Sequence, residues 1–397
     1  MRRYFLKGIS FLMTVVFLLT SGVIGAFASD SSGDGFEDAL VDNQAGMEFD
    51  CISAILMDAA TGTVFYEKNA DEALPPASVT KIMTLLLVME AVDSGKIKLT
   101  DRVSASANAA SMGGSQVYLK EGEEMSVEDL LKCVVIASAN DAAVALAEYV
   151  AGSEEAFVER MNARAKELGM KNTHFENTNG LDDTAQNHVL SARDIALMSR
   201  ELIKHEKILE YSSIWMDTVR DGAFGLTNTN RLIRFYKDAT GLKTGSTSKA
   251  KFCISATAKR DGMHLVCVVM GAETRDSRNA IATKLLDYGF ANYALFRAAG
   301  ERLPEMKVLG GVENTCAVSY GDFAYAVKKG EESRVESKLT MEDSVAAPVK
   351  KGTVVGRMTY TLDGNEIGGV DVVTTEEIGK IGYFGLLLRM VAGIIMK

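Results

Sequence analysis

Ser78 and Lys81 stand three residues apart in "PPASVTKIMT", where a helical period begins. A serine hydroxyl is a poor nucleophile until a base takes its proton. A lysine one helical turn along lies on the same face and can be that base, provided it is neutral. Burial or a second nearby cation lowers its proton affinity. A helix mouth also places backbone N–H groups and a positive dipole end beside the serine, which favours an oxyanion. The pair alone decides nothing. Ser-x-x-Lys recurs at Ser246/Lys249 and Ser248/Lys251, and composition alone yields about one or two such pairs in a chain this long.

Two further clusters supply what the pair lacks. Ser138-Ala139-Asn140 lies 60 residues on, between two helical segments, and Lys243-Thr244-Gly245 lies 105 beyond that, entering a strand. Ser138 can relay a proton between the cations and a leaving amine. Asn140 can orient Lys81 and hydrogen-bond a substrate amide. Lys243 is the natural second cation, and with Thr244 it can hold a terminal carboxylate. Gly245 lets a substrate backbone lie against the strand with no Cβ in the way. Ser-x-Asn also occurs at Ser106/Asn108 and Ser277/Asn279, so the weight rests on order, spacing and element type together.

These residues need particular elements to hold them. "SAILMDAATGTVFYEKN" reads as a hairpin, and the chain from Ser78 to about Ile208 is mainly helical. Ser126, Ser153 and Ser191 each precede an amphipathic run as N-cap residues. After about Trp215 strands return, with Asp261-Gly262 between two β-rich runs as a strong hairpin signal, followed by a helix in "RDSRNAIATKLLDYGFANY". From 301 to 375 the chain reads as a separate β-rich domain. The other Ser-x-x-Lys pairs fall in a strand region, where residues three apart point to opposite faces; only Ser78/Lys81 has a helix beneath it.

Composition narrows the class. The chain has 397 residues, 47% of them hydrophobic, and a net charge of -10. That acidity and the absence of a basic patch argue against nucleic acid. The five cysteines, Cys51, Cys133, Cys253, Cys267 and Cys316, are scattered, with no C-x-x-C and no Cys/His cluster. Neither a disulfide framework nor a metal or other cofactor is expected. Arg2, Arg3 and Lys7, the apolar run Phe11 to Gly25, and small residues Ala26 and Ala28 read as a secretory signal peptide over 1–28. A polar leader over 29–49 follows.

The three clusters match the S-x-x-K, S-D-N and K-T-G set of penicillin-binding proteins and class A β-lactamases. The surrounding words "ALPPASVTKIMT", "SMGGSQVYLKEGE", "IASANDAAVALAE", "HFENTNGLDD", "SARDIALMSREL" and "TGLKTGSTSKAKFC" resemble the low-molecular-mass D-alanyl-D-alanine carboxypeptidases, from about Ile52 to Gly289. The resemblance implies an α+β fold: an antiparallel sheet flanked by a helical block, a transpeptidase-like serine peptidase domain over 50–297, then a small all-β domain. It implies an acyl-enzyme peptidase that removes the last D-alanine from peptidoglycan stem peptides ending in D-Ala-D-Ala, with penicillin and other β-lactams trapping Ser78. By the same resemblance Ser78 is the nucleophile, Lys81 the base and Ser138 the relay, and Lys243 binds substrate. The N–H groups of Ser78 and Ser246 form the oxyanion hole, and Arg278 resembles a carboxylate-binding arginine. Arg278 also reads as a surface residue at a helix start, and Asp182 as either a site-loop residue or a turn former. Ala139 and Ser246 depart from many relatives.

Two other readings compete: a β-lactamase on the same core, and a non-catalytic wall-binding protein. The first needs a carboxylate poised to activate water, and "FENTNGLDD" offers Glu176 and Asp182 without that pattern. At the C-terminus, 378–397 reads as an amphipathic helix on the outer face of the plasma membrane, with Phe384, Leu387, Leu388, Val391, Ile394 and Ile395 on one face. Packing of that helix on the β domain is the alternative.

Overall fold

The computed structural model describes residues 46–182 and 185–395. The expected signal peptide and most of the leader lie outside them.

Alternation of small and branched apolar residues builds a sheet buried on both faces. Strands β1 (Ser53–Asp58) and β2 (Val64–Lys68) form the expected hairpin. Along β1, Ile55 and Met57 enter one hydrophobic core, while Ala54 and Leu56 enter another on the opposite side. This is the period of two that a strand imposes.

The helical block follows in chain order: α1 (Lys81–Asp93), α2 (Val127–Ala137), α3 (Asn140–Ala151), α4 (Glu154–Glu167), α5 (Ala192–Leu202) and α6 (Glu206–Ser212). Ser126, Ser153 and Ser191 cap α2, α4 and α5, each accepting the N–H three residues on. Helix α1 is buried on almost every side, from Lys81 through Ala91. An apolar helix without a polar face belongs in a core rather than at a surface.

Strands β3 (Ala239–Thr247), β4 (Lys251–Arg260) and β5 (Met263–Ala272) complete the sheet in the order β2-β1-β5-β4-β3, all antiparallel. The β4–β5 turn has Asp261 at φ 49 and Gly262 at φ 82, the two left-handed residues a tight hairpin requires. Helix α7 (Arg275–Asn292) covers the face away from the helical block through Ile281, Ala282, Leu285 and Leu286. Strand β3 is left at the edge, against the helix mouth that carries Ser78.

The β-rich region begins earlier than expected. Strand β6 (Tyr293–Ala298) pairs with β9 (Phe323–Lys328) and not with the peptidase sheet, although Tyr293 and Ala326 pack into the core beneath that sheet. Six strands form the second sheet: β7 (Arg302–Leu309), β8 (Thr315–Ser319), β10 (Val335–Met341), β11 (Ser344–Ala346), β12 (Val354–Leu362) and β13 (Asn365–Thr374). Their order is β10-β12-β13-β8-β7-β11. The domain also ends later: Ile378 is buried in its core and bridges Val349.

The last helix, α8, therefore spans Tyr383–Ile395 rather than starting near 378. Much of its apolar surface is open to solvent, Leu386, Leu388, Met390 and Ile394 all being exposed. Among the described residues, Arg389 ties it down by donating to Gly311 O at 3.1 Å and Val312 O at 2.7 Å. No described helix is long and apolar enough to cross a membrane.

Candidate active site

Ser78 sits in a single 3-10 turn, Ala77–Thr80, that leads into α1. Its hydroxyl caps nothing. It accepts from Lys81 Nζ at 2.9 Å. Lys81 is fully buried and donates also to Asn179 O at 2.8 Å. Burial holds its amine well below the usual lysine range; Lys243 pushes it the same way, and Asp141 opposes them.

The loop that receives Lys81 is built from its own sequence. Asn177 Oδ1 accepts from Gly180 N at 2.7 Å, and Asn179 Oδ1 accepts from Leu181 N at 2.9 Å. These side-chain turns are what asparagine does well. Thr84 Oγ1 donates to Thr178 O at 2.6 Å, stapling the loop to α1. Gly180 has φ 82, and a Cβ there would lie 1.9 Å from Ala77 O. The loop can close on the helix mouth only with glycine at this position.

Ser138 ends α2 in the left-handed region, φ 64 and ψ 28, and Asn140 opens α3 two residues later. This sharp break turns Ser138 into the cavity that Ser78 also lines. Asn140 behaves differently from expectation. Its Nδ2 donates to Gly113 O at 2.7 Å and its backbone N–H to Ser115 O at 2.7 Å, so it holds the neighbouring loop and does not orient Lys81. Its Oδ1 is buried with no partner, an acceptor left over for a donor from elsewhere.

Lys243 is 1% exposed, and its ammonium donates to Thr244 O at 3.0 Å. Burial, helped by Arg278, pulls it down to about 7. Thr244 Oγ1 donates to Thr229 Oγ1 at 2.8 Å. Gly245 is needed for a reason the sequence did not suggest. A Cβ there would lie 2.8 Å from Pro76 O and 2.9 Å from Ser78 N, so glycine lets β3 touch the helix mouth itself. Arg278 is no surface residue: it is 3% exposed, lines the cavity, and donates to Cys253 O and Asn279 Oδ1. Burial lowers it to about 10.

The cavity measures about 680 Å³. Six of the expected residues line it: Ser78, Ser138, Thr244, Gly245, Ser246 and Arg278. Lys81, Asn140 and Lys243 are buried and absent from that lining. Ser115, Trp215, Thr229, Arg231, Arg234 and Arg275 also line it and were missed; no local pattern marks them. Among the described residues no Asp or Glu faces it. Glu176 spends its carboxylate on the backbone of Gln186 and Asn187, and Asp182 lines a separate, smaller cavity. Neither lines the cavity that holds Ser78. The five cysteines are buried and unpaired, and no group of ligands suited to a metal occurs among the described residues.

Family profiles match in two pieces: "D-alanyl-D-alanine carboxypeptidase" over residues 40–274 and "Penicillin-binding protein 5, C-terminal domain" over 293–380. The chain belongs to the D-alanyl-D-alanine carboxypeptidase family. D-alanyl-D-alanine carboxypeptidase DacF of Bacillus subtilis is 44% identical over 345 residues, covering 85% of this chain and 88% of that one. DacC of Escherichia coli is 38% identical, covering 83% and 85%. Penicillin-binding protein 5 from Haemophilus influenzae superposes with a TM-score of 0.74 at 32% identity, over 85% of this chain and all of that one. The enzyme is thus a serine-type D-alanyl-D-alanine carboxypeptidase with a penicillin-binding fold. Penicillin-binding protein D2 from Listeria monocytogenes, solved in an ampicillin-bound form, matches 62% of this chain with a TM-score of 0.57 at 33% identity. The second profile begins at Tyr293, the first residue of β6.

Proposed function

We propose that Ser78 is the nucleophile and the buried Lys81 its base in removing the terminal D-alanine from peptidoglycan stem peptides. The observation that carries this is the 2.9 Å contact between Ser78 Oγ and Lys81 Nζ, with the amine fully buried beside a second lysine. In its neutral form Lys81 offers a lone pair across that contact. Ser78 Oγ bonds to the carbonyl carbon of the penultimate D-alanine while Lys81 takes the hydroxyl proton. The oxyanion is met by the N–H groups of Ser78 and Ser246. The C–N bond breaks, and the proton returns through Ser138 to the leaving amine, releasing D-alanine. Water then adds to the ester, and its proton follows the same route back as Ser78 leaves. Lys243, Thr244 and Arg278 hold the terminal carboxylate, and Asn140 Oδ1 accepts from the substrate amide. β-Lactams enter by the same first step and remain as the ester.

The chain is read as exported by its 1–28 signal peptide to the outer face of the plasma membrane, with the peptidase and β-rich regions acting there as two domains. Helix α8 is read as the membrane-surface anchor. What favours this is its exposed apolar side chains, Phe384, Leu388 and Ile394 being 77%, 71% and 75% exposed, over a length of about 20 Å that is too short to span.

The test incubates the soluble enzyme with a D-Ala-D-Ala-terminated peptide and with a fluorescent penicillin. Free D-alanine and a long-lived adduct are expected, both lost in Ser78→Ala. A Ser78→Ala protein that still labels covalently would sink the assignment.

A further inference from the structure

His188 and Thr80 take no part in the chemistry above, yet both are buried directly behind it. Their hydrogen bonds run in one direction. The Glu176 N–H donates to His188 Nδ1 at 3.0 Å, so the ring carries its proton on Nε2. Nε2 faces Thr80 Oγ1 at 2.8 Å and donates to it. The hydroxyl then has its own hydrogen for Ala77 O, 2.8 Å away. Burial lowers His188 to about 4, so the ring is neutral at ordinary pH. Phe175 packs against it edge-on at 5.8 Å.

Ala77 O is one end of a peptide group whose other end is the Ser78 N–H. That group is planar and trans, so its C=O and N–H point in opposite directions. Fixing the carbonyl aims the N–H. The aim needs fixing: Ala77 has φ 50, a left-handed conformation that a residue with a Cβ disfavours. Two glycines make room around this peptide without choosing its orientation, Gly180 against Ala77 O and Gly245 against Ser78 N. The hydroxyl of Thr80 is directional, and His188 fixes which way it donates.

We infer that His188 and Thr80 are positioning residues that hold the Ala77–Ser78 peptide with its N–H aimed at the oxyanion. The inference rests on the proposed use of the Ser78 N–H in the oxyanion hole. Opening the chain leaves buried polar atoms unpaired and frees the peptide to turn. A misdirected donor weakens binding of the tetrahedral intermediate while leaving ground-state binding of the peptide in place.

Thr80→Val keeps the shape and removes the donor; Thr80→Ser keeps the donor. Both are measured for kcat and KM on a D-Ala-D-Ala peptide. They are also measured for affinity toward a peptide boronic acid, whose tetrahedral Ser78 adduct puts an oxygen in the oxyanion site. Thr80→Val is expected to lose roughly tenfold in kcat with KM within twofold, and roughly tenfold in boronate affinity, with Thr80→Ser within threefold of wild type. A folded Thr80→Val with both quantities within twofold of wild type overturns the inference. So does a loss of rate with unchanged boronate affinity, which marks a merely structural role. If Thr80→Val does not fold, His188→Leu is read by the same two numbers and the same thresholds. Wild type that fluorescent penicillin does not label at Ser78 removes the underlying assignment as well. Labelled wild type beside an unaffected Thr80→Val removes only this inference.

Discussion

Lys243→Met should make the enzyme more stable and less active, and the gain should depend on pH in a definite way. Lys243 is buried at 1% exposure with its amine lowered to about 7, against roughly 10.4 for a lysine in an unfolded chain. The folded value lies below the unfolded one, so the folded state disfavours the charged form. The cost is fully present below pH 7, fades between pH 7 and about 10.4, and is absent above. At about 1.36 kcal/mol per unit, the shift corresponds to about 5 kcal/mol as an upper figure. Methionine removes the ammonium but also its charged hydrogen bond to Thr244 O, a loss of about 1.5–3 kcal/mol. Relief of the repulsion on Lys81 acts in the stabilising direction. The net expectation is a gain of about 3 kcal/mol near pH 6 that shrinks toward zero, or below it, by pH 10.5. Urea unfolding followed by fluorescence of Trp215, the single tryptophan, measures it across that range. A variant no more stable than wild type at pH 6, or a gain that does not change with pH, would refute the electrostatic account. A pH-dependent gain accompanied by loss of turnover would show a buried cation kept for function at a cost in stability.

The pH profile of kcat/KM should fall above about pH 7 as free Lys243 loses its proton and its hold on the substrate carboxylate; Lys243→Arg should move that limb upward by two units or more, read with a D-Ala-D-Ala peptide. Gly245→Ala should slow acylation by fluorescent penicillin at least tenfold and destabilise by roughly 1–3 kcal/mol, because its Cβ meets Pro76 O and Ser78 N below 3 Å; acylation within twofold of wild type would show that β3 can withdraw freely. Arg278→Ala should raise KM roughly tenfold or more for a peptide ending in a free carboxylate and change it little for the corresponding C-terminal amide. Deleting residues 380–397 should release the enzyme from membrane pellets with peptidase activity intact; a truncated enzyme that still pellets would locate the anchor elsewhere.

Features legible in the sequence are those whose cause is local. Ser126, Ser153 and Ser191 sit beside the N–H groups they cap, and Asp261-Gly262 carries its own turn geometry. Ser78 and Lys81 can be read as a pair because a helix lies beneath them. The illegible features come from contacts distant in the chain. Lys81 donates to a carbonyl 98 residues away, so nothing near Lys81 announces that partner. Gly245 looks like space for a substrate until β3 is seen pressed on Pro76 and Ser78, where the glycine is required by the enzyme itself. The motif position of Asn140 points to Lys81 and to a substrate amide, whereas its own amide N–H is spent on Gly113, a carbonyl 27 residues earlier. Tyr293–Ala298 has the same apolar character whichever sheet it joins, and its pairing with Phe323–Lys328 is visible only in the fold. The same holds for His188, whose role depends on a backbone donor at Glu176 and a hydroxyl 108 residues earlier. The catalytic motifs therefore identify the groups that react. What tunes them is a second set: Thr80 in the helix mouth itself, and Asn179, Gly180 and His188, brought in by the loop that closes over it. Substitutions in that set should change reactivity at Ser78 while leaving every defining residue of the three motifs in place.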